Sequence, residues 1–203
     1  VFGINLDTKK SQTLENKECN FGYRDSVFKN ELKNNFIVTH VVFRLKKLQP
    51  SYKFNCDYAG INEKISELWL DLSAMTISDF VEVITQIRKD KLPDRETTWT
   101  AGSFFKNPVI TKEQWKILQS RFPEIKWFDS DNYIKLSAWQ LIDLCGFKWK
   151  SNGKVGTYKN HALILVNEWI ATGQDIEYFA KEIQTSVQDR FNVLLEPEVI
   201  FVK

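Results

Sequence analysis

The sequence predicts an α+β fold, in which a strand-rich first third precedes a helical segment carrying a small sheet. Three observations lead there. Residues near the start alternate apolar and polar with a period of two, at Phe2, Ile4 and Leu6. From Thr76 onward the apolar period becomes 3.6. Late in the chain a short continuous apolar run, His161 to Asn167, lies between two helical patterns.

Taken in order, Phe2, Ile4 and Leu6 predict a strand with their side buried. Asp7 to Ser11 is a polar turn into a second short strand. Glu18 to Lys29 is irregular, with aromatic residues at 21, 23 and 28 around Arg24-Asp25. Arg24 has two readings. It is either satisfied by Asp25 and backbone carbonyls, or held on an aromatic wall to meet a carboxylate or oxyanion. Phe36 to Leu45, rich in β-branched residues, predicts a long strand, and a lone His40 within it is more often structural than a ligand. Residues 46–60 read as a connector.

Thr76 and Asp79 stand in capping-box positions ahead of a helix with Ile77, Phe80, Val81, Ile84 and Ile87 on one stripe. Pro93 stops it. Thr111 and Gln114 open a second helix with Trp115, Leu118 and Phe122 inward, stopped by Pro123. Ala138, Leu141, Ile142 and Cys145 mark a third, and Gly146 sits where a left-handed residue ends it. His161 to Asn167 is a buried strand, Ile176, Phe179, Ala180, Ile183 and Val187 define a last helix, and Leu194 to Val202 reads as a final strand.

Composition narrows the function. In 203 residues, 43% are hydrophobic and 14% aromatic, enough for a real core. The net charge of +2 is spread among interspersed acids and bases, with no basic stripe for nucleic acid. No apolar run approaches the roughly 20 residues that span a bilayer, so no membrane association is expected. Cys19, Cys56 and Cys145 are dispersed without a CxxC pair and read as free thiols of a reducing compartment. With only His40 and His161 to add, no metal site is expected. The chain starts at Val1, and Met75 is its one methionine. It is expected to be a piece of a longer protein.

One stretch concentrates polar chemistry: Ala101-Gly102-Ser103-Phe104-Phe105-Lys106-Asn107-Pro108. Gly102 permits close approach to the backbone beside the Ser103 hydroxyl. Lys106 and Asn107 offer donors suited to phosphate or carboxylate. By composition alone the stretch reads rather as a packed aromatic turn with polar decoration. The chain contains no GxGxxG, P-loop, CxxC or HExxH.

Together with Phe21-Gly22-Tyr23-Arg24-Asp25-Ser26-Val27-Phe28-Lys29, Lys91-Leu92-Pro93-Asp94, Leu141-Ile142-Asp143, Cys145-Gly146-Phe147-Lys148, His161-Ala162-Leu163, Val166-Asn167 and Leu195-Glu196-Pro197-Glu198-Val199, that stretch resembles the UDP-N-acetylenolpyruvoylglucosamine reductases. The motifs keep the family's order and spacing along the whole chain. The resemblance implies an FAD enzyme of peptidoglycan synthesis that uses NADPH to reduce an enolpyruvyl UDP-sugar to UDP-N-acetylmuramate. It implies a cytoplasmic protein, monomeric at full length. Residues 1–70 would be the later strands of the flavin-binding domain, 75–192 the substrate domain, and 193–203 a strand returning to an N-terminal part that this chain lacks. The glycine-rich cradle for the FAD pyrophosphate would lie in that part, so the chain alone is expected to bind FAD poorly or not at all.

By the same resemblance Ser103 is the proton donor to the substrate carbon, Arg24 pairs with the developing carboxylate-enolate charge, and Glu198 assists as an acid or orienting group. Lys91, Asn107, Tyr58 and His161 would bind substrate, and Arg24 and Gly102 would meet the cofactor. The chain also departs from the family pattern. Trp99-Thr100 replaces Gly-Asn, Trp139 and Gln140 replace Gly-Trp, Phe128 replaces a tyrosine that closes over the diphosphate, and Ile200 stands where arginine is common. Trp149 and Trp169 stand at glycine positions, so their loops are expected to differ or be strained. Two competing readings are a sugar-nucleotide-binding module without catalysis and an α+β interaction domain whose motifs serve packing.

Overall fold

In the computed structural model, which describes residues 1–47, 49, 52–57, 60–94, 96–130 and 132–202, the strands form three antiparallel three-stranded sheets. The α+β class predicted from the sequence is the one observed. The chain folds as two units, Val1–Lys53 and Phe54–Lys203.

In the first unit, β1 (Phe2–Asn5) lies between β2 (Lys10–Thr13) and β3 (Phe36–His40). The Asn5 side-chain oxygen accepts from the Asp7 and Thr8 amides, both at 3.0 Å, and closes the β1–β2 turn. Gly3 is the buried residue of β1. A Cβ there would lie 2.1 Å from the Phe36 ring and 2.4 Å from the Ile37 carbonyl, so the close approach of β3 demands glycine. Phe36 continues a line of rings, 5.4 Å from Phe28, which lies 6.5 Å from Phe21.

Two expectations fail here. Phe2, Ile4 and Leu6 are exposed and Gly3 is covered, because period two distinguishes the faces of a strand without telling which one is packed. The strand predicted over Phe36 to Leu45 ends at His40. Phe2, the first residue of β1, pairs with His40, so Val41 and Val42 have no neighbouring strand to bond among the described residues.

The second unit opens with a helical pair. α1 (Ile61–Glu67), within residues adjoining the expected connector, packs Ile61 and Ile65 against Val83 and Ile87 of α2 (Ile77–Lys91). The Thr76–Asp79 capping box forms as predicted, and α2 ends just before Pro93. The predicted stripe holds in part: Phe80, Ile84 and Ile87 pack on this cluster together with Val83, while Ile77 and Val81 are exposed, because α2 turns only a narrow face to α1.

The main core gathers the remaining elements: β4 (Trp99–Ser103), β5 (Val109–Ile110), α3 (Lys112–Arg121), β6 (Trp127–Ser130), β7 (Tyr133–Leu136), α4 (Ala138–Leu144), β8 (Val155–Tyr158), β9 (His161–Asn167) and α5 (Gly173–Phe191). The sheet orders are β4-β9-β8 and β5-β7-β6. α3 has its Thr111–Gln114 capping box, and α4 ends at a left-handed Gly146, φ +80°. Ala138, Leu141 and Ile142 of α4 are wholly buried with Ile183 and Val187 of α5.

The strand predicted from Leu194 to Val202 is reduced to one bridge, Phe105 with Pro197. Val193 and Leu195 are buried while Leu194 and Glu196 are exposed, so the alternation is present. Pro197 offers no N–H to extend a ladder. No helix among the described residues is long and apolar enough to cross a membrane.

Candidate active site

Ser103 closes β4 at an irregularity. Trp99 and Thr100 pair with Asn167 and Val166 of β9, and Ser103 pairs with Ile164, so three steps along β4 answer two along β9. This is a bulge. Gly102 takes it up with φ +80°. Thr100 pins it: its hydroxyl donates to the Leu165 carbonyl at 2.7 Å and accepts from the Gly102 amide at 3.1 Å. A Cβ on Gly102 would have no heavy atom within 4 Å. The result is an exposed Ser103 hydroxyl beside open backbone. Thr100 stood out in the sequence only as a departure from the family pattern. Its role depends on a β9 carbonyl 65 residues away.

The two phenylalanines that follow anchor this edge. Phe104 and Phe105 are buried and meet edge-on at 5.0 Å. Between them and the C-terminal segment runs a short ladder: the Glu198 amide donates to the Phe104 carbonyl at 2.8 Å and the Lys106 amide to the Glu196 carbonyl at 2.9 Å. The structure therefore brings Glu198 to the segment that carries Ser103. Lys106 is turned to the other carboxylate of Glu-Pro-Glu, with Nζ 3.0 Å from Glu196.

Asn107 and His161 flank the start of α4, and Lys91 stands near His161. The Asn107 side-chain oxygen accepts from the Ala138 amide at 2.9 Å. Trp139, the next residue, has its ring 6.3 Å from that of His161, the first residue of β9. The Asn160 side-chain amide reaches back to the Asp90 carbonyl at 2.8 Å, tying the β8–β9 turn to the end of α2, where Lys91 stands. Burial holds the His161 imidazole below its ordinary pKa, and the Lys91 ammonium adds to this, which favours the neutral ring. Trp139 Nε1 and His161 Nδ1 are both buried with no hydrogen-bond partner among the described residues.

Arg24 belongs to the first unit. It occupies the left-handed position, φ 55°, of a tight turn closed by hydrogen bonds between Gly22 and Asp25, and it is exposed. The Asp25 carboxylate accepts from the Ser26 amide and the Asn30 side chain, both at 2.8 Å. Tyr58 lies outside the described residues. No group of three or more metal-ligating side chains occurs among the described residues.

Of the two outcomes expected at Trp149 and Trp169, a different loop or a strained one, the backbone shows strain. Trp149 and Trp169 keep left-handed backbones, φ 53° and 78°. Trp169 lays its ring 4.9 Å from that of Trp99.

Fold and site together define an α+β domain that presents an exposed serine on a glycine bulge, a carboxylate residue tied to the same edge, and a half-buried histidine with an indole and a lysine near it. Comparison with known proteins gives the family. Residues 93–202 match the family model described as UDP-N-acetylenolpyruvoylglucosamine reductase, C-terminal domain. The chain is 41% identical over 197 residues to the UDP-N-acetylenolpyruvoylglucosamine reductase of Flavobacterium johnsoniae, 39% over 194 to that of Chromobacterium violaceum, and 40% over 187 to that of Xanthomonas axonopodis pv. citri. These alignments take in 97%, 95% and 91% of this chain but only 57%, 55% and 52% of the relatives, so it spans about half their length. The chain belongs to the UDP-N-acetylenolpyruvoylglucosamine reductase family.

Proposed function

We propose that this chain supplies the substrate-binding and proton-donating part of an FAD- and NADPH-dependent cytoplasmic reductase that converts UDP-N-acetylglucosamine enolpyruvate to UDP-N-acetylmuramate for peptidoglycan synthesis. The observation that carries it is the exposed Ser103 on the Gly102 bulge, with the Glu198 backbone bonded to the next residue.

The residues present suit a flat cofactor. The open space over Gly102 lets a ring approach the backbone beside Ser103, and Arg24 and Gly102 would meet it. The chemistry supplied by bound FAD, recharged by NADPH, is delivery of a hydride to the enolpyruvyl double bond. Ser103 gives its proton to the carbon left with carbanion character, which completes the saturation. A serine hydroxyl is a weak acid, and it serves here because the acceptor is strongly basic. The Arg24 guanidinium offsets the carboxylate-enolate charge, worth most where water is scarce. Glu198 acts as an acid or orients the serine. Lys91 and Asn107 bind the phosphates and sugar with His161 beside them, and Tyr58 is assigned to the substrate.

Calorimetric titration of the chain with UDP-N-acetylglucosamine enolpyruvate, with and without FAD, tests the reading. Binding of the sugar nucleotide is expected in both arms, with weak or no FAD binding. No sugar-nucleotide binding in either arm overturns it. A purified chain that is yellow with stoichiometric flavin overturns the division of labour while leaving the substrate assignment standing.

A further inference from the structure

Lys91 closes α2 and His161 opens β9, and both are assigned above to the sugar nucleotide. The residue that precedes each of them forms the link between the two elements. The Asn160 side-chain amide donates to the Asp90 carbonyl at 2.8 Å, across 70 residues of chain. That carbonyl belongs to the last turn of α2, where no amide of the helix itself is left to meet it. The Asp90 side chain is held as well. Its carboxylate lies 2.8 Å from Nζ of Lys64 on α1, and the same ammonium reaches Glu67 at 2.5 Å. Asp90 is therefore gripped through its side chain by α1 and through its backbone by the β8–β9 turn. Lys91 follows directly. Its ammonium lies 3.6 Å from where a Cβ on Gly60 would stand, ahead of α1, and its charge is felt at the His161 imidazole. An ammonium on a flexible four-carbon stem keeps a fixed place only if the backbone that carries it is held.

We propose that Asn160 is a positioning residue of the sugar-nucleotide site, its amide clamping the end of α2 to the β8–β9 turn so that Lys91 and His161 meet one ligand together. Asn160 acts through Lys91 and touches no ligand itself. The assignment rests on the sugar-nucleotide reading above.

The test uses the 203-residue chain with UDP-N-acetylglucosamine as ligand, followed by calorimetry. Asn160→Ala should weaken binding about fivefold. Asn160→Gln, which keeps the amide donor, should stay within twofold. A second readout needs no ligand. The Lys91 charge lowers the His161 pKa, so proton NMR titration should find that pKa higher in Lys91→Met and, to a lesser extent, in Asn160→Ala. The double variant should match Lys91→Met. Burial lowers the same pKa, and a merely loosened turn would raise it equally with and without Lys91, which separates lost positioning from lost packing. His40, the other histidine, lies in the first unit and serves as the internal standard. An unaltered chain that binds the ligand while Asn160→Ala binds it equally well overturns the proposal alone. So does an Asn160→Ala shift of His161 that is the same size in the Lys91→Met background. An unaltered chain that binds no sugar nucleotide overturns the sugar-nucleotide reading and the proposal together.

Discussion

The two units use similar residues to different ends. Among the described residues of Val1–Lys53 the buried hydrophobic ones are Leu14 and Cys19, while Phe2, Ile4, Leu6, Ile37 and Val38 of the same small sheet and its turn are exposed. In Phe54–Lys203 β7 alternates in the same way but buries Ile134 and Leu136, and β9 is buried from Ala162 through Leu165, in one core shared with α3, α4 and α5. The difference is the second layer. A strand contributes to a core only when a helix or another sheet covers its apolar face. The candidate chemistry divides in the same way. Ser103, Gly102 and Glu198 ride on buried phenylalanines, whereas Arg24 is carried by an exposed turn.

The sharpest probe of that division is kinetic. In the flavin-bound reductase, Ser103→Ala should lower kcat by about 10²–10⁴, or about 3–5 kcal/mol in the barrier, with sugar-nucleotide affinity nearly unchanged. Arg24→Ala leaves the left-handed strain of its turn in place, so any loss reports the missing charge. A Ser103→Ala enzyme with normal turnover would remove the second unit from the chemistry.

Packing supplies the next largest effect. Leu141→Ala, at a wholly buried site, should cost about 3 kcal/mol or more in denaturant unfolding. Ile4→Ala, at an exposed site, should cost less than about 1 kcal/mol. Equal losses would break the contrast between the units.

Thr172 accepts from the Asp175 amide at 3.2 Å while Asp175 accepts from Thr172, a capping box at the start of α5. Thr172→Ala should cost about 1 kcal/mol. The Thr172 hydroxyl and amide, with Lys154, bring the Asp175 pKa down to about 2. A depressed carboxylate stabilises the fold above its ordinary value of 3.8 and loses that contribution as pH falls toward about 2. Acid titration of Thr172→Ala followed by circular dichroism should therefore show a shallower loss through that window than the unaltered chain.

The smallest expected change is a gain. Trp149 is highly exposed and left-handed, so Trp149→Gly should raise stability by about 0.5–1 kcal/mol. Trp169→Gly should gain less, because it gives up the ring packing on Trp99. A loss at Trp149 would mean that its ring packs more than its exposure suggests.

How much of this was legible in the residues themselves follows from the range of each interaction. Helix boundaries were, because the capping pairs Thr76–Asp79 and Thr111–Gln114, the stops Pro93 and Pro123, and the left-handed Gly146 act within one turn of the chain. The motif around Ser103 was legible for the same reason of proximity. α1 was not, since seven residues make too short a pattern to stand out from the adjoining connector.

The sequence by itself determined the α+β class, the helix limits and the residues of the Ser103 stretch. Only the tertiary structure decided which strand faces are covered, where β3 stops, that Thr100 holds a bulge behind Ser103, and that Glu198 and Trp139 come to their neighbours. Strand hydrogen bonds and burial need a partner from elsewhere in the chain, and no local pattern of residues states which partner that is.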